Sequence, residues 1–307
     1  MQLSLPPGTN RDDALHILGE VSHDIGDLYT ESDHYDADEL LYEYLKWASS
    51  AVRRLEHVVS PADLDRLVLT RRYDQLLTNR SKLSSSSGKL VDGLLRLELS
   101  QRSRAFAEAV RELQAAVVNL GRVAANVVFD TSVFIHHPKK LEELSFFPLT
   151  GKVFGPFRLI VPMVVIDELD RLKESGKTQT RWRARYSLAV LDRIFADNRR
   201  GKSSATLSSP SPASSASGPR LGDEVIVEIV SDSAHHIRLP NPDDEIVDRA
   251  LAMEPLVGAH VTLITYDTGQ ASRARSAGLS FRKLDMPLGP EPGPEPGKEV
   301  KRSNRTS

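Results

Sequence analysis

Apolar positions recur at helical spacing through the first 120 residues and contract into short β-branched runs afterwards. Leu40, Leu41, Tyr44, Leu45, Ala48 and Val52 lie on one face of a helix, as do Phe106, Val110, Leu113, Val117 and Leu120. Asn10 with Asp13 forms a start signal, and Ser60-Pro61-Ala62-Asp63 forms a stronger one, with proline at the first helical position. A polar break, SKLSSSSGK at 81–89, separates the helices on either side of it. Residues 1–120 therefore read as an all-α N-terminal domain whose stripes are helical packing. His16, His23, His34 and His57 are too scattered to suggest a metal site.

The period then changes. ANVVFD (125–130), FRLIV (157–161), VIVEIV (225–230) and VTLITYD (261–267) are short apolar runs. Helical patterns fall between and after them, over 162–175, 180–197, 242–254 and 268–277. Strands alternating with helices predict an α/β fold, a parallel sheet with helices on both faces. This α/β region spans 125–285. Residues 201–222 are almost pure Ser, Ala, Pro and Gly, and 286–307 form a Pro/Gly tail of mixed charge. Neither buries enough apolar surface to offset its ordering entropy, so both are expected to be disordered.

Composition narrows the chemistry. Forty Lys+Arg against 42 Asp+Glu give a formal charge of −2, which excludes a polycation that coats nucleic acid by charge alone. With no cysteine there is no thiolate nucleophile and no Cys-type zinc or iron–sulfur site. The first residues lack a basic stretch followed by an apolar core, and no apolar run approaches the ~18 residues that span a bilayer. The expectation is a soluble, cytoplasmic protein with no membrane partner.

In parallel sheets ligands gather beyond the carboxyl ends of the strands, and here those ends carry acids. Asp130 closes the first run and Asp267 the last. Glu168 follows FRLIV in VPMVVIDELDRLK, and Asp244 lies in NPDDEIVDRAL, where Asn241 caps, Pro242 opens and Asp243-Asp244 fill the first turn. Singly, each acid has an ordinary role as a helix cap, a dipole partner worth about 0.3–1 kcal/mol, or part of a solvated face. Together they converge on one sheet edge, where carboxylates repel one another unless cations intervene. Oxygen-only ligands suit Mg²⁺ or Mn²⁺ rather than zinc. Two such ions can activate water and stabilise the leaving oxygen of a phosphodiester. Beside Glu168 runs a basic stretch from Arg171 to Lys202. Within it Arg181 and Arg185 share a helix face suited to backbone phosphates, and Trp182 and Tyr186 form an adjacent stripe that serves either base stacking or the core.

The four segments FDTSVFIHHPKKLEEL, VPMVVIDELDRLK, NPDDEIVDRAL and VTLITYDTGQASRARSAGL resemble, in order and spacing, the PIN domain, and most closely the one in PhoH-like proteins. The resemblance covers about 125–285 and implies a Rossmann-like α/β/α sheet and a metal-dependent ribonuclease. It places the family's four acids on Asp130, Glu168, Asp244 and Asp267, and the supporting hydroxyl on Ser132. Ser132 stands where many relatives have Asn, and Tyr266 where relatives often have a second Asp. No Walker-type glycine loop follows in these residues, so the ATPase part of PhoH-like proteins is not expected here. An aspartyl-nucleophile phosphatase would need an acid at Ser132 and is rejected. A toxin-type nuclease usually lacks so large an added helical region. The rival from another class is a catalytically silent PIN-type RNA-binding or protein-interaction module. A homodimer, and a protein partner for residues 1–120, are both compatible with the chain, and RNA is the expected substrate.

Overall fold

The computed structural model describes residues 3–78, 88–121, 123–152, 156–196, 204–207, 224–232 and 236–286. Five helices come first: α1 (Arg11–Glu31), α2 (Ala37–Leu55), α3 (Pro61–Leu67), α4 (Arg71–Thr78) and α5 (Gly88–Leu120). The expected caps are present: Asn10 accepts from the amides of Asp12 and Asp13, and Ser60 from that of Asp63. Asp36 and Glu39 add a reciprocal capping box at the start of α2. The α2 stripe buries Leu40, Leu41, Tyr44 and Ala48, and that of α5 buries Phe106, Leu113 and Leu120. A buried carboxylate, Glu98, sits among these helices. It accepts from Thr70 (3.0 Å) and Arg72 (2.9 Å), and Arg102 lies 3.0 Å away. Most of the polar break at 81–89 lies outside the described residues.

The second half follows the alternation read from the sequence. Its elements are β1 (Ala125–Phe129), α6 (Thr131–His136), α7 (Phe146–Thr150), β2 (Phe157–Pro162), α8 (Met163–Leu172), α9 (Thr178–Ala196), β3 (Ser204–Leu207), β4 (Val225–Val230), α10 (Pro242–Val257), β5 (Val261–Thr265), α11 (Thr268–Ser276) and β6 (Ser280–Lys283). The sheet order is β3-β4-β2-β1-β5-β6, parallel throughout except for the β3–β4 pair. The chain leaves β1 on one side to form β2 and β4 and returns on the other to form β5 and β6. The carboxyl end of β1 is therefore the point where strand order reverses and a crevice opens.

Two differences from the sequence reading have physical causes. Residues 204–207, inside the stretch expected to be disordered, form the antiparallel edge strand β3, because Leu207 buries itself and the backbone completes the ladder of β4. The rest of 201–222, apart from this strand, lies outside the described residues, as does the tail from 287. Helix α10 also runs past 254, through Pro255, to Val257. It ends at Gly258 in the left-handed region (φ 63°), whose amide still reaches Glu254 O. A side chain at Gly258 is strained on two counts, since a Cβ would lie 2.8 Å from Arg11 Nε.

One buried apolar cluster runs from Leu3 to Leu279 across helices and sheet. Arg11 donates to Leu256 O, and buried Arg158 on β2 binds Asn126 on β1 and the carbonyl of Leu120 that ends α5. Among the described residues no helix is long and apolar enough to cross a membrane.

Candidate functional site

Asp130 occupies the N-cap position of α6, yet its side chain makes no capping bond. Its carboxylate, 5 % exposed, instead accepts from two hydroxyls, Ser132 Oγ at 2.6 Å and Thr265 Oγ1 at 2.7 Å, both on Oδ2. Each hydroxyl also holds the next strand's end. Ser132 Oγ accepts from Tyr266 N (3.0 Å), and Thr265 Oγ1 accepts from Asp267 N (2.8 Å). The switch point between β1 and β5 is thus locked by a hydroxyl pair, and Asp130 Oδ1 has no hydrogen-bond donor among the described residues.

Glu168 lies in the second turn of α8 and reaches back to Thr131, whose Oγ1 donates to Oε2 at 2.5 Å. Its neighbour Asp167 is paired with Arg238 (2.5 Å), and among the described residues Glu168 has only the distant Arg171 as an ion-pair partner, at 3.9 Å. Burial raises the Glu168 carboxyl above its ordinary range, and the charges of Asp130 and Asp243 add to the rise, against the Thr131 bond and Arg171.

Helix α10 packs against β5, β2, α8 and α11, which brings its first turn over the same crevice. Asn241 caps it through the amide of Asp243. The two acids that follow diverge. Asp243 is half-buried, and its carboxylate has no donor among the described residues. Burial raises its pKa, and Asp130, Asp267 and Asp244 add to the rise, while Arg273 opposes it. Asp244 is exposed and ion-paired with Arg273 at 2.8 Å. Asp267 is exposed and caps α11, using Oδ1 for the amides of Gly269 (2.5 Å) and Gln270 (3.3 Å). Fully buried Gln270 donates its side-chain amide to Asp243 O (3.1 Å), which binds the first turns of α10 and α11 together.

The structure therefore brings Asp130, Glu168 and Ser132 into one hydrogen-bonded edge, with Asp267 linked to it through Thr265. Asp243 lies within reach of the charges of Asp130, Glu168 and Asp267, and Asp244 turns to Arg273. Sequence reasoning left Asp243 as a helix-start acid and passed over Thr131, Thr265 and Gln270. The signal for Thr265 was a hydroxyl at a strand's carboxyl end, two residues ahead of an acid. Nothing in the pattern marked Gln270.

The donor set fits a hard divalent cation. It is oxygen-only, two of its acids are held above their usual range, and among the described residues Asp130 Oδ1, both oxygens of Asp243 and Asp267 Oδ2 make no hydrogen bond. A tighter ligand cluster among the described residues, His236, Glu245 and Asp248, has its atoms within 4.8 Å of one another. Its ligand atoms are already engaged by protein partners. Arg249 lies 3.4 Å from Glu245 and bonds Asp248, His236 pairs with Glu245 at 2.6 Å, and Leu239 N–H occupies the other Glu245 oxygen.

The basic helix α9 is not uniform. Arg181 donates to Ser175 O (3.2 Å), and Arg185 is exposed, 3.7 Å from Glu174. Arg183 is buried, 8 % exposed. Trp182 is half exposed and stacks on Tyr186 with centroids 5.3 Å apart, so Trp182 lies outside the core while Tyr186 packs partly buried against it. The Tyr186 hydroxyl donates to Glu142, which pushes its pKa up to about 12.

Comparison with known proteins gives one family: residues 127–284 match the PIN domain. No curated protein matches the chain.

Proposed function

The chain belongs to the PIN domain family, whose members are typically nucleases, and on that premise we propose that it is a metal-dependent endoribonuclease. Asp130, Glu168, Asp243 and Asp267 hold Mg²⁺ or Mn²⁺. The observation that carries this reading is Asp130, which stands at a helix start without capping the helix, fixed by two hydroxyls with one oxygen left over. A carboxylate there for structure alone would spend itself on the orphan amides of α6. Ions bound at such a site supply a water of lowered pKa and a counter-charge for the departing oxygen of a phosphodiester.

The remaining work falls to the chain. Ser132 and Thr265 aim Asp130 and, through their second bonds, fix Asp267 relative to it. Thr131 orients Glu168, which serves as a ligand or positions the attacking water. We assign the α10 position to Asp243 rather than Asp244, because of the two only Asp243 is half-buried and, among the described residues, without a partner of its own. Asp244 instead sets Arg273 at the rim, and Arg181 and Arg185 offer charge to backbone phosphates farther along the strand.

The test is cleavage of a labelled single-stranded RNA with Mn²⁺, with EDTA, and by the Asp130→Asn and Asp243→Asn variants. Loss of cleavage in EDTA and in both variants, with folding intact, supports the reading. Undiminished cleavage by Asp130→Asn removes it. Asp244→Asn should keep most of the rate; a loss equal to that of Asp243→Asn would reverse the assignment between them.

A further inference from the structure

Beside the acidic edge lies a cavity that the steps above do not use. The end of α6, the turn at Pro138 and the first turn of α9 enclose about 490 Å³, within the range of small-ligand sites. Its permanent charges have one sign, Lys177 and Arg183, beside the imidazoles of His136 and His137 and with no carboxylate in the lining; burial lowers the His137 pKa, so that ring is a hydrogen-bonding and stacking surface rather than a fixed charge. Arg183 is more than nine-tenths buried, and a buried guanidinium ordinarily meets a carboxylate. This one meets only carbonyl oxygens, those of Phe134 (3.2 Å), His137 (2.5 Å) and Lys139 (2.8 Å), and forms no salt bridge among the described residues. Carbonyls fix its direction without cancelling its charge. The Lys177 side chain is exposed and makes no ion pair among the described residues. Glu143 offsets part of the Arg183 charge from outside the cavity, and the cavity, with no carboxylate in its own lining, offers the remainder to an anion.

Its position says which anion. The His137 ring lies 6.3 Å from that of Tyr266, whose amide donates to Ser132 Oγ, which in turn donates to Asp130. One aromatic pair separates the cavity from the acidic edge. A chain of phosphates lying across Asp130 would reach it within a neighbouring nucleotide, and the His137 and Tyr266 rings offer faces against which a base can stack. Only an unpaired nucleotide can turn into such a recess, since paired bases are held in the helix stack.

The geometry points to this cavity as a nucleotide subsite, which takes the phosphate and ribose of one nucleotide of single-stranded RNA flanking the bond cut at the acidic edge. The assignment rests on the nuclease reading of that edge, and it adds a specificity element that Lys177, His137 and Arg183 supply.

Two readouts keep the two readings apart. One is binding of uridine 5′-monophosphate to the full chain in EDTA, followed by NMR shifts and calorimetry. The other is steady-state cleavage of single-stranded RNA with Mn²⁺. Lys177→Glu should weaken nucleotide binding about tenfold, raise KM by a similar factor with kcat nearly unchanged, and lower the salt slope by about one. Lys46→Glu makes the same charge change on α2 and should alter neither. Shifts should centre on the His137 and Tyr266 rings. Equal binding by wild type and Lys177→Glu, or shifts elsewhere, overturns the subsite even if RNA is cleaved. Lys177-dependent binding without cleavage of any RNA keeps the cavity as a nucleotide site and removes the nuclease reading instead.

Discussion

Replacing Thr265 by Val tests the hydroxyl lock with almost no change of shape. Thr265 is fully buried at the end of β5, and its hydroxyl does two jobs, donating to Asp130 at 2.7 Å and accepting from Asp267 N at 2.8 Å. The first bond has an ionised acceptor and is worth about 1.5–3 kcal/mol. Losing the second leaves a partly buried amide unpaired, a further cost of about 1–3 kcal/mol. The new methyl returns about 0.8 kcal/mol of burial. The Thr265→Val protein should therefore be less stable by about 2–5 kcal/mol, measured by urea unfolding in EDTA. Thr265→Ser keeps both bonds and should lose only about 1 kcal/mol with its methyl. In an Asp130→Asn background the acceptor is neutral, and charge-assisted bonds are roughly twice as strong as neutral ones. The cost of Thr265→Val should then fall by about 1 kcal/mol. A Val variant within about 0.5 kcal/mol of wild type, or no difference between Val and Ser, would refute the lock.

The crowded acids give a pH signature. Folding raises the Glu168 and Asp243 pKa values, so the folded state binds more protons above the ordinary carboxylate range, and metal-free stability falls as pH rises through the raised values. Glu168→Gln should thus melt higher than wild type at pH 7 in EDTA. The gap should close as pH falls to about 4, into the range of unfolded carboxyls, and invert with Mn²⁺; a lower melting point in EDTA would contradict the crowding. Asp267 caps α11 and is assigned to the metal, and these roles separate by substitution. Asp267→Asn should keep stability and lose Mn²⁺ binding, whereas Asp267→Ala should lose both, with about 0.5–2 kcal/mol from the missing cap. In the helical half, Glu98→Ala takes the countercharge from Arg102, which keeps only the carbonyls of Arg66 and Leu67, and should cost about 2–4 kcal/mol in chemical unfolding. A cost below about 1 kcal/mol would show that cation to be solvated.

What the sequence disclosed, it disclosed through periodicity and chain ends. Strand β2 reads as an apolar run interrupted only by Arg158 because it is buried on both faces, and VIVEIV coincides with β4. The acids closing β1 and β5 were visible because a carboxylate at the end of an apolar run interrupts the pattern. Periodicity was silent on β3, whose four residues are too short and too polar to show a period and are strands only because β4 offers an edge. It was silent also on the choice between Asp243 and Asp244. Adjacent residues on a helix differ by about 100° in direction, and which one faces the crevice depends on how α10 lies across α8 and α11. Thr265 and Gln270 act through contacts between elements far apart in the chain, which no local pattern encodes.

The most direct test of the account is a crystal soaked in Mn²⁺ and measured for anomalous scattering. The account predicts density among Asp130, Glu168, Asp243 and Asp267, absent from crystals of Asp130→Asn. Density at His236, Glu245 and Asp248 instead, or none at the sheet edge at millimolar Mn²⁺, would contradict it.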